Sequence, residues 1–293
     1  MVLNASCGGG DEQDTPIITI VDNGSGESST TASGLTNEEA KNKYGRRLEI
    51  PTFNERDGIF IAHEVQAGNR TVMNYSLEYS PTAMHSRWVA FRFDAITRVS
   101  TTGRSPNSSF IDDPLIPSQY RIGSEYFKGY DRGHLCASAD RYLNAEANLQ
   151  TFYMTNMSPQ LNDFNSGIWS DYEIHFRDKA RDATFADTVY VVKGGTIRNG
   201  ETLGRVTRNN GQYVTVPKYY FMAFLRVRYG NYDAIGLWLE HRPYSQSERA
   251  NLGAYIVSID ELEEKTGLDF FSNLRDDIEN NVESTYNKSI WGF

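Results

Sequence analysis

The sequence predicts an α+β fold built on a mainly antiparallel central sheet flanked by helices. Three observations predict it. Short alternating or apolar runs with strand character recur along the chain, helical stretches lie between them, and strands and helices mix without the regular βαβ alternation of a parallel sheet. No internal repeat is present. With 39% apolar residues, 18 Tyr and 15 Phe, the 293-residue chain has the material for one large core.

The strand readings, in chain order, are Ile59 to Val65, Arg87 to Phe93, Thr188 to Lys193, Tyr213 to Arg228 and Asp233 to Leu239. Helices are expected over Leu143 to Phe152 and over Phe164 to Arg181. A last helix starts at Ser258-Ile259-Asp260-Glu261, which has the form of a capping box, and stops at Gly267. The domain expected to hold all of these covers 44–293. Residues 1–43 are rich in Ser, Thr, Gly, Asn and Asp, a composition that cannot bury a core, and they read as a solvated linker.

Small residues before Cys7, with glycines and acids behind it, resemble the junction at which bacterial lipoproteins are cleaved and lipidated. The charged start and apolar stretch of a signal peptide do not fit into six residues, so the reading is of a sequence that begins inside such a signal. The expectation is an exported protein, periplasmic, secreted or anchored to a membrane through Cys7. The only other cysteine is Cys136, which excludes a disulfide framework. The best apolar stretch, Tyr219 to Val227, is short and broken by Arg226, so no transmembrane helix is expected.

A net charge of −9 argues at first against an anionic partner. Its distribution changes that reading. Residues 1–43 hold 7 acids and 2 bases and residues 259–293 hold 9 acids and 3 bases, which leaves the middle of the chain at +2. Local basic patches are compatible with such a balance; tight, salt-resistant binding is not expected.

Two blocks carry chemistry. The first is Tyr130-Asp131-Arg132-Gly133-His134-Leu135. The second runs Thr155-Asn156-Met157-Ser158-Pro159-Gln160 and continues through Asn162-Asp163-Phe164-Asn165 to Trp169 and Glu173. Together they resemble the DNA/RNA non-specific endonucleases, the group that includes Serratia nuclease and endonuclease G, in the Asp-Arg-Gly-His motif and in the Asn-x-x-Pro-Gln loop leading into a helix. The resemblance spans about residues 55–276. It implies a ββα-metal nuclease active site and a Mg²⁺ or Mn²⁺ cofactor. Asn165, Trp169 and Glu173, at i, i+4 and i+8, are expected along one helix face.

Hydrolysis of a phosphodiester needs a generated nucleophile and neutralised charge on the phosphoryl group. His134 suits the first task, since an imidazole of ordinary pKa, about 6.5, accepts a water proton near neutral pH. Activity is then expected to rise with pH through that titration. Asn165 suits the second as the metal ligand, offering an amide oxygen to a hard cation. The resemblance further implies that Arg132 stabilises phosphoryl charge, that Asn156 orients His134 or the attacking water, and that Glu173 holds a metal-bound water. Asp131 and Gly133 read as structural, Trp169 as core packing and Cys136 as a buried spectator thiol. Some members carry a phosphate-contacting Arg just before the Trp-Val segment, and Arg87 adjoins Trp88 here.

His63, His85, His175 and His241 have no metal-ligand spacing, and no HExxH, Walker or dinucleotide motif occurs. DNA and RNA are the expected partners. Two rival readings are a surface-anchored nucleic-acid-binding protein without turnover and a phosphodiesterase for small nucleotides.

Overall fold

The computed structural model describes residues 35–36, 42–52, 58–125 and 127–293. Cys7 and most of the expected linker lie outside the described residues. Twelve strands are assigned in chain order: β1 (Leu35–Thr36), β2 (Ile59–Ala67), β3 (Arg70–Ser80), β4 (His85–Phe93), β5 (Asp131–His134), β6 (Met157–Gln160), β7 (Thr188–Gly195), β8 (Thr202–Thr207), β9 (Tyr213–Pro217), β10 (Tyr219–Arg228), β11 (Asn231–Glu240) and β12 (Ile256–Val257). Eight of them form one sheet in the order β1-β2-β3-β4-β7-β10-β11-β12, and every neighbouring pair is antiparallel. The expected α+β fold with an antiparallel centre is the one observed. β5 pairs with β6, and β8 with β9, as separate two-stranded ribbons.

The helices are α1 (Ala145–Gln150), α2 (Ser170–Arg181), α3 (Gln246–Arg249), α4 (Ile259–Thr266), α5 (Asp276–Ser284) and α6 (Lys288–Trp291). Side-chain alternation gives the sheet two apolar faces. On one, Val89 and Phe91 of β4, Val189 and Val191 of β7, and Tyr220, Met222 and Phe224 of β10 pack against Trp169 and against Tyr172, Phe176 and Ala180 of α2. On the other, Trp88, Ala90, Val192, Phe221, Ala223 and Leu225 pack against Ile259 and Leu262 of α4 and Val282 of α5. The sheet is therefore a middle layer, with helices burying both sides.

Several expectations needed correction. The stretch Tyr213 to Arg228 is two strands, because the chain leaves the β8–β9 ribbon at Pro217 and re-enters the main sheet at Tyr219. β3 was not anticipated. Its inward positions on one face are Asn74, Ser76, Glu78 and Ser80, all buried, so polar residues mask the alternation that would announce a strand. The helix from Ser258 to Gly267 is present, with Ser258 Oγ accepting from the Glu261 N–H at 3.1 Å and Gly267 in the left-handed conformation at φ 68°. It is not the last, since α5 and α6 follow.

Candidate active site

The Asp-Arg-Gly-His segment is a strand, and what fixes it is its partner. In the β5–β6 ribbon His134 faces Met157, Gly133 faces Ser158, Arg132 faces Pro159 and Asp131 faces Gln160. A side chain at Gly133 would collide with Gln160, whose Cγ lies 2.7 Å from where a Cβ would stand. Glycine there is a packing requirement, which accounts for the structural role read from the sequence.

Asn156 ties the two blocks together. Its side chain is fully buried and is spent on backbone: Oδ1 accepts from the Cys136 N–H at 2.8 Å, and Nδ2 donates to the carbonyls of Cys136 at 2.9 Å and Thr151 at 2.7 Å. The Leu135 N–H donates to the Asn156 carbonyl at 3.0 Å. This amide therefore holds the backbone immediately after His134 and does not line the cavity. The Cys136 thiol below it is buried and pushed up to about 12 by burial, so it stays protonated.

The ring of His134 is held between aromatic faces. It meets Phe110 at 5.6 Å and Phe152 edge-on at 5.0 Å. Outside them sit two cations, Arg132 3.9 Å over the Phe110 ring and Arg104 4.9 Å over the Phe152 ring. Its Nε2 is shut off from solvent and has no hydrogen-bond partner among the described residues. Burial first, then the positive charges of Arg104, Lys193 and Arg132, push its pKa down to about 3. The expected titration near neutrality is corrected accordingly: the imidazole is already neutral throughout the physiological range.

After β6 the chain enters the helical stretch expected from Phe164 to Arg181, but not as one regular helix. Phe164–Trp169 is broken by a kink, with non-helical backbone at Gly167 (φ −100°, ψ −119°), and only then does α2 begin. Across such a break residues four apart no longer share a face. Trp169 thus points into the core, 1% exposed, while Asn165 and Glu173 line the same surface cavity of about 400 Å³. The expectation of one common face fails for Trp169, and its role in core packing is the observed one.

Arg104, Arg132, His134, Asn165, Glu173 and Arg177 all contribute to that cavity. The Asn165 Nδ2 donates to Asp131 Oδ2 at 3.0 Å, and Asn162 Nδ2 donates to the same oxygen at 3.0 Å. A carboxylate only accepts, so Asp131 fixes which way the Asn165 amide faces and leaves its Oδ1 free of that contact. A neutral oxygen donor held in this way fits a hard divalent cation.

Glu173 belongs to a quartet in which Lys193 and Asp140 are buried and Glu173 and Arg177 are half-buried. Lys193 Nζ lies 3.0 Å from Glu173 Oε1 and 3.3 Å from Asp140 Oδ2, and Arg177 Nε lies 2.6 Å from Asp140 Oδ1. Two anions and two cations balance. Burial pulls the Lys193 pKa down, but Glu173 and Asp140 outweigh it and hold it above its usual value. For Asp140, burial is outweighed by Arg177, Lys193 and Arg141, which keep the carboxyl ionised. Glu173 is raised, by burial first and by Asp140, against the pull of Lys193.

Residues missed in the sequence are Arg104, Phe110, Asp140, Phe152, Arg177 and Lys193. Only Lys193 carried a local signal. It continues the inward series Val189, Val191 of β7, where a charge is out of place without partners. Arg87 lies elsewhere, 3.3 Å from Glu78 and lining other pockets. The remaining histidines are also away from the cavity. His63 pairs with Asp113, His85 bonds Ser86 and Ser158, His175 bonds the Trp291 carbonyl, and His241 bonds Pro217 and Leu161.

Comparison with known proteins identifies the family of the chain. The chain is 32% identical over 219 residues to a nuclease of Nostoc, a match covering 72% of this chain and 75% of that one. It is 26% identical over 213 residues to human mitochondrial endonuclease G, covering 69% and 68%, and 29% identical over 217 residues to the mitochondrial nuclease EXOG of Xenopus laevis, covering 70% and 58%. A crystal structure of EndoG in complex with EndoGI has the same fold, with a TM-score of 0.57 at 20% identity over 74% of this chain and 89% of that one. The family model described as DNA/RNA non-specific endonuclease matches residues 58–277, most of the described chain, and the protein belongs to that family.

Proposed function

We propose that the protein is a Mg²⁺- or Mn²⁺-dependent endonuclease that hydrolyses phosphodiester bonds in DNA and RNA with little sequence preference. The observation that carries this reading is the convergence on one cavity of a neutral imidazole, His134, an oriented amide oxygen, Asn165, and the cations Arg104 and Arg132. His134 takes the proton of the attacking water at a ring nitrogen, and its neutrality supports that role. Arg132 and Arg104 bind phosphoryl oxygens. Asn165 holds the divalent cation, which supplies positive charge to the phosphate and the leaving oxygen. Glu173, steadied by Lys193, accepts hydrogen bonds from water near Asn165. Asn156 acts on His134 through the backbone of Leu135 and Cys136.

The test is incubation of the purified protein with supercoiled plasmid and with RNA, with and without Mg²⁺ and EDTA. Both substrates should be cut only with the cation, and Asn165→Ala should be as impaired as the chelated enzyme. Unchanged cleavage in excess EDTA would remove the metal from the proposal. Contacts to phosphate and sugar also imply that the rate falls as salt rises, and that mapped cut sites share no single recognition sequence.

We further propose that the protein is exported and anchored through Cys7, which rests on the residues around that cysteine. Uptake of labelled fatty acid by the full-length protein in its host, persisting in Cys7→Ala, would refute the anchor.

A further inference from the structure

On the sheet face opposite α2, the helix pair α4 and α5 gathers carboxylates that the nuclease site does not use. One carboxylate oxygen each from Asp260, Glu263 and Glu283 lies within 4.8 Å of the others, and the same holds for Asp269, Glu279 and Glu283. Glu283 belongs to both triads. It is 9% exposed, and its Oε1 is shut off from solvent with no hydrogen-bond donor among the described residues. A buried carboxylate facing four others costs folding free energy as an anion, a cost that either a proton or a bound cation relieves.

Within the described residues no such cation comes from the protein. Among the described residues none of the five carboxylates is in an ion pair, and the basic side chains nearest in sequence are turned to other partners. Lys265 lies 3.5 Å from Glu261, and Arg275 lies 2.6 Å from Asp277. The donors that reach the cluster among the described residues are neutral: the Phe270 N–H donates to Glu263 at 2.7 Å and the Thr52 hydroxyl to Asp269 at 2.9 Å. Most of the oxygen lone pairs stay available.

We propose that Asp260 and Glu263 of α4 and Glu283 of α5 bind one Ca²⁺ ion that clamps α4 to α5, with Asp269 and Glu279 adding negative charge beside Glu283, separately from the cation of the nuclease site. Ca²⁺ takes roughly six to eight oxygens at about 2.3–2.6 Å, so two oxygens on opposite sides of one ion stand about 4.6–5.2 Å apart. The spacing of the triad Asp260, Glu263 and Glu283 is compatible with ligation to one such ion. Mg²⁺ is a poorer match, since it holds about six oxygens at about 2.0–2.1 Å, mostly waters, and these shorter distances do not suit oxygens spaced as in the triad.

The experiment uses the full chain, stripped with EDTA and dialysed, titrated with calcium chloride or magnesium chloride in a calorimeter and melted with and without each ion. Expected is saturable one-to-one Ca²⁺ binding with a rise in Tm, both retained in Asn165→Ala. Glu283→Gln is expected to melt higher than wild type without ions, because it relieves like-charge crowding. It should bind Ca²⁺ at least about tenfold more weakly, having lost the ligand that α5 supplies. Glu263→Gln should repeat the weakened binding. The clamp is overturned if Ca²⁺ binding disappears in Asn165→Ala, or if both glutamine variants respond to Ca²⁺ as wild type does. A Mg²⁺ response equal to that of Ca²⁺ overturns the calcium assignment.

Discussion

Asp131 Oδ2 receives the amide nitrogens of Asn165 and Asn162, each at 3.0 Å, so that one carboxylate on β5 sets the orientation of the residue assigned to the metal on the following helix. Partners that orient a metal ligand commonly contribute about 10–100-fold in metal affinity or activity. Asp131→Ala should therefore raise the Mg²⁺ concentration for half-maximal cleavage by that factor, with a smaller loss at saturating Mg²⁺. A Mg²⁺ titration curve identical to that of wild type would show that Asp131 only supports the strand.

Replacing His134 with Ala should slow single-turnover cleavage about a hundredfold to ten-thousandfold, the range that general acid-base catalysis supplies. Because burial and three cations keep the ring neutral down to about pH 3, kcat/KM of the wild type should show no acid limb near pH 6.5. A limb there that vanishes in His134→Ala would mean that the ring titrates normally in the free enzyme.

His85 is fully buried, bonds Ser86 and Ser158 at 2.7 Å each, and is pushed down to about 4, mainly by burial. Its folded pKa lies below the unfolded value of about 6.5, so an unfolded chain takes up a proton that the native one refuses. The stability this neutral ring contributes is complete above pH 6.5 and is lost as pH falls towards 4. The difference in urea-unfolding free energy between wild type and His85→Gln should therefore narrow over that window. A gap that stays constant would contradict the linkage.

Lys193 is 2% exposed and serves two carboxylates, one buried and one half-buried. Removing one partner of such a group leaves uncompensated charge and typically costs about 3–5 kcal/mol. Lys193→Met should lose roughly that much, and adding Glu173→Gln should recover part of it. Additive losses in the double variant would deny the coupling.

Gly133→Ala tests the close approach of β5 to β6. Forcing a methyl group against Gln160 should cost about 1–3 kcal/mol, as overpacking in a filled core does. Gly133→Ala with Gln160→Ala should be more stable than the sum of the single changes, measured by chemical denaturation.

The sheet was legible where apolar alternation survives, as in β2, β4, β7 and β11. It was not legible in β3, whose Glu78 and Asn74 point inward and find their partners far away in sequence: the Trp88 Nε1–H donates to Glu78 at 3.1 Å and Asn74 donates to Gln150 at 2.9 Å. The same limit applies to the site. His134 and Asn165 stand in fixed local motifs, whereas Arg104 and Phe110 meet the cavity or its ring only through folding, and nothing beside them in the chain announces it. The kinked segment was invisible for another reason, because its residues would serve equally well in an ordinary helix.

That segment also sets how the chain can vary in length. The break at Gly167 fixes how the residues before it are turned relative to α2. Deleting a single residue there would rotate everything before it by about 100° relative to α2. Asn165 would swing away from the cavity while Trp169 kept its seat in the core. A one-residue deletion here should therefore abolish cleavage in a protein that still folds.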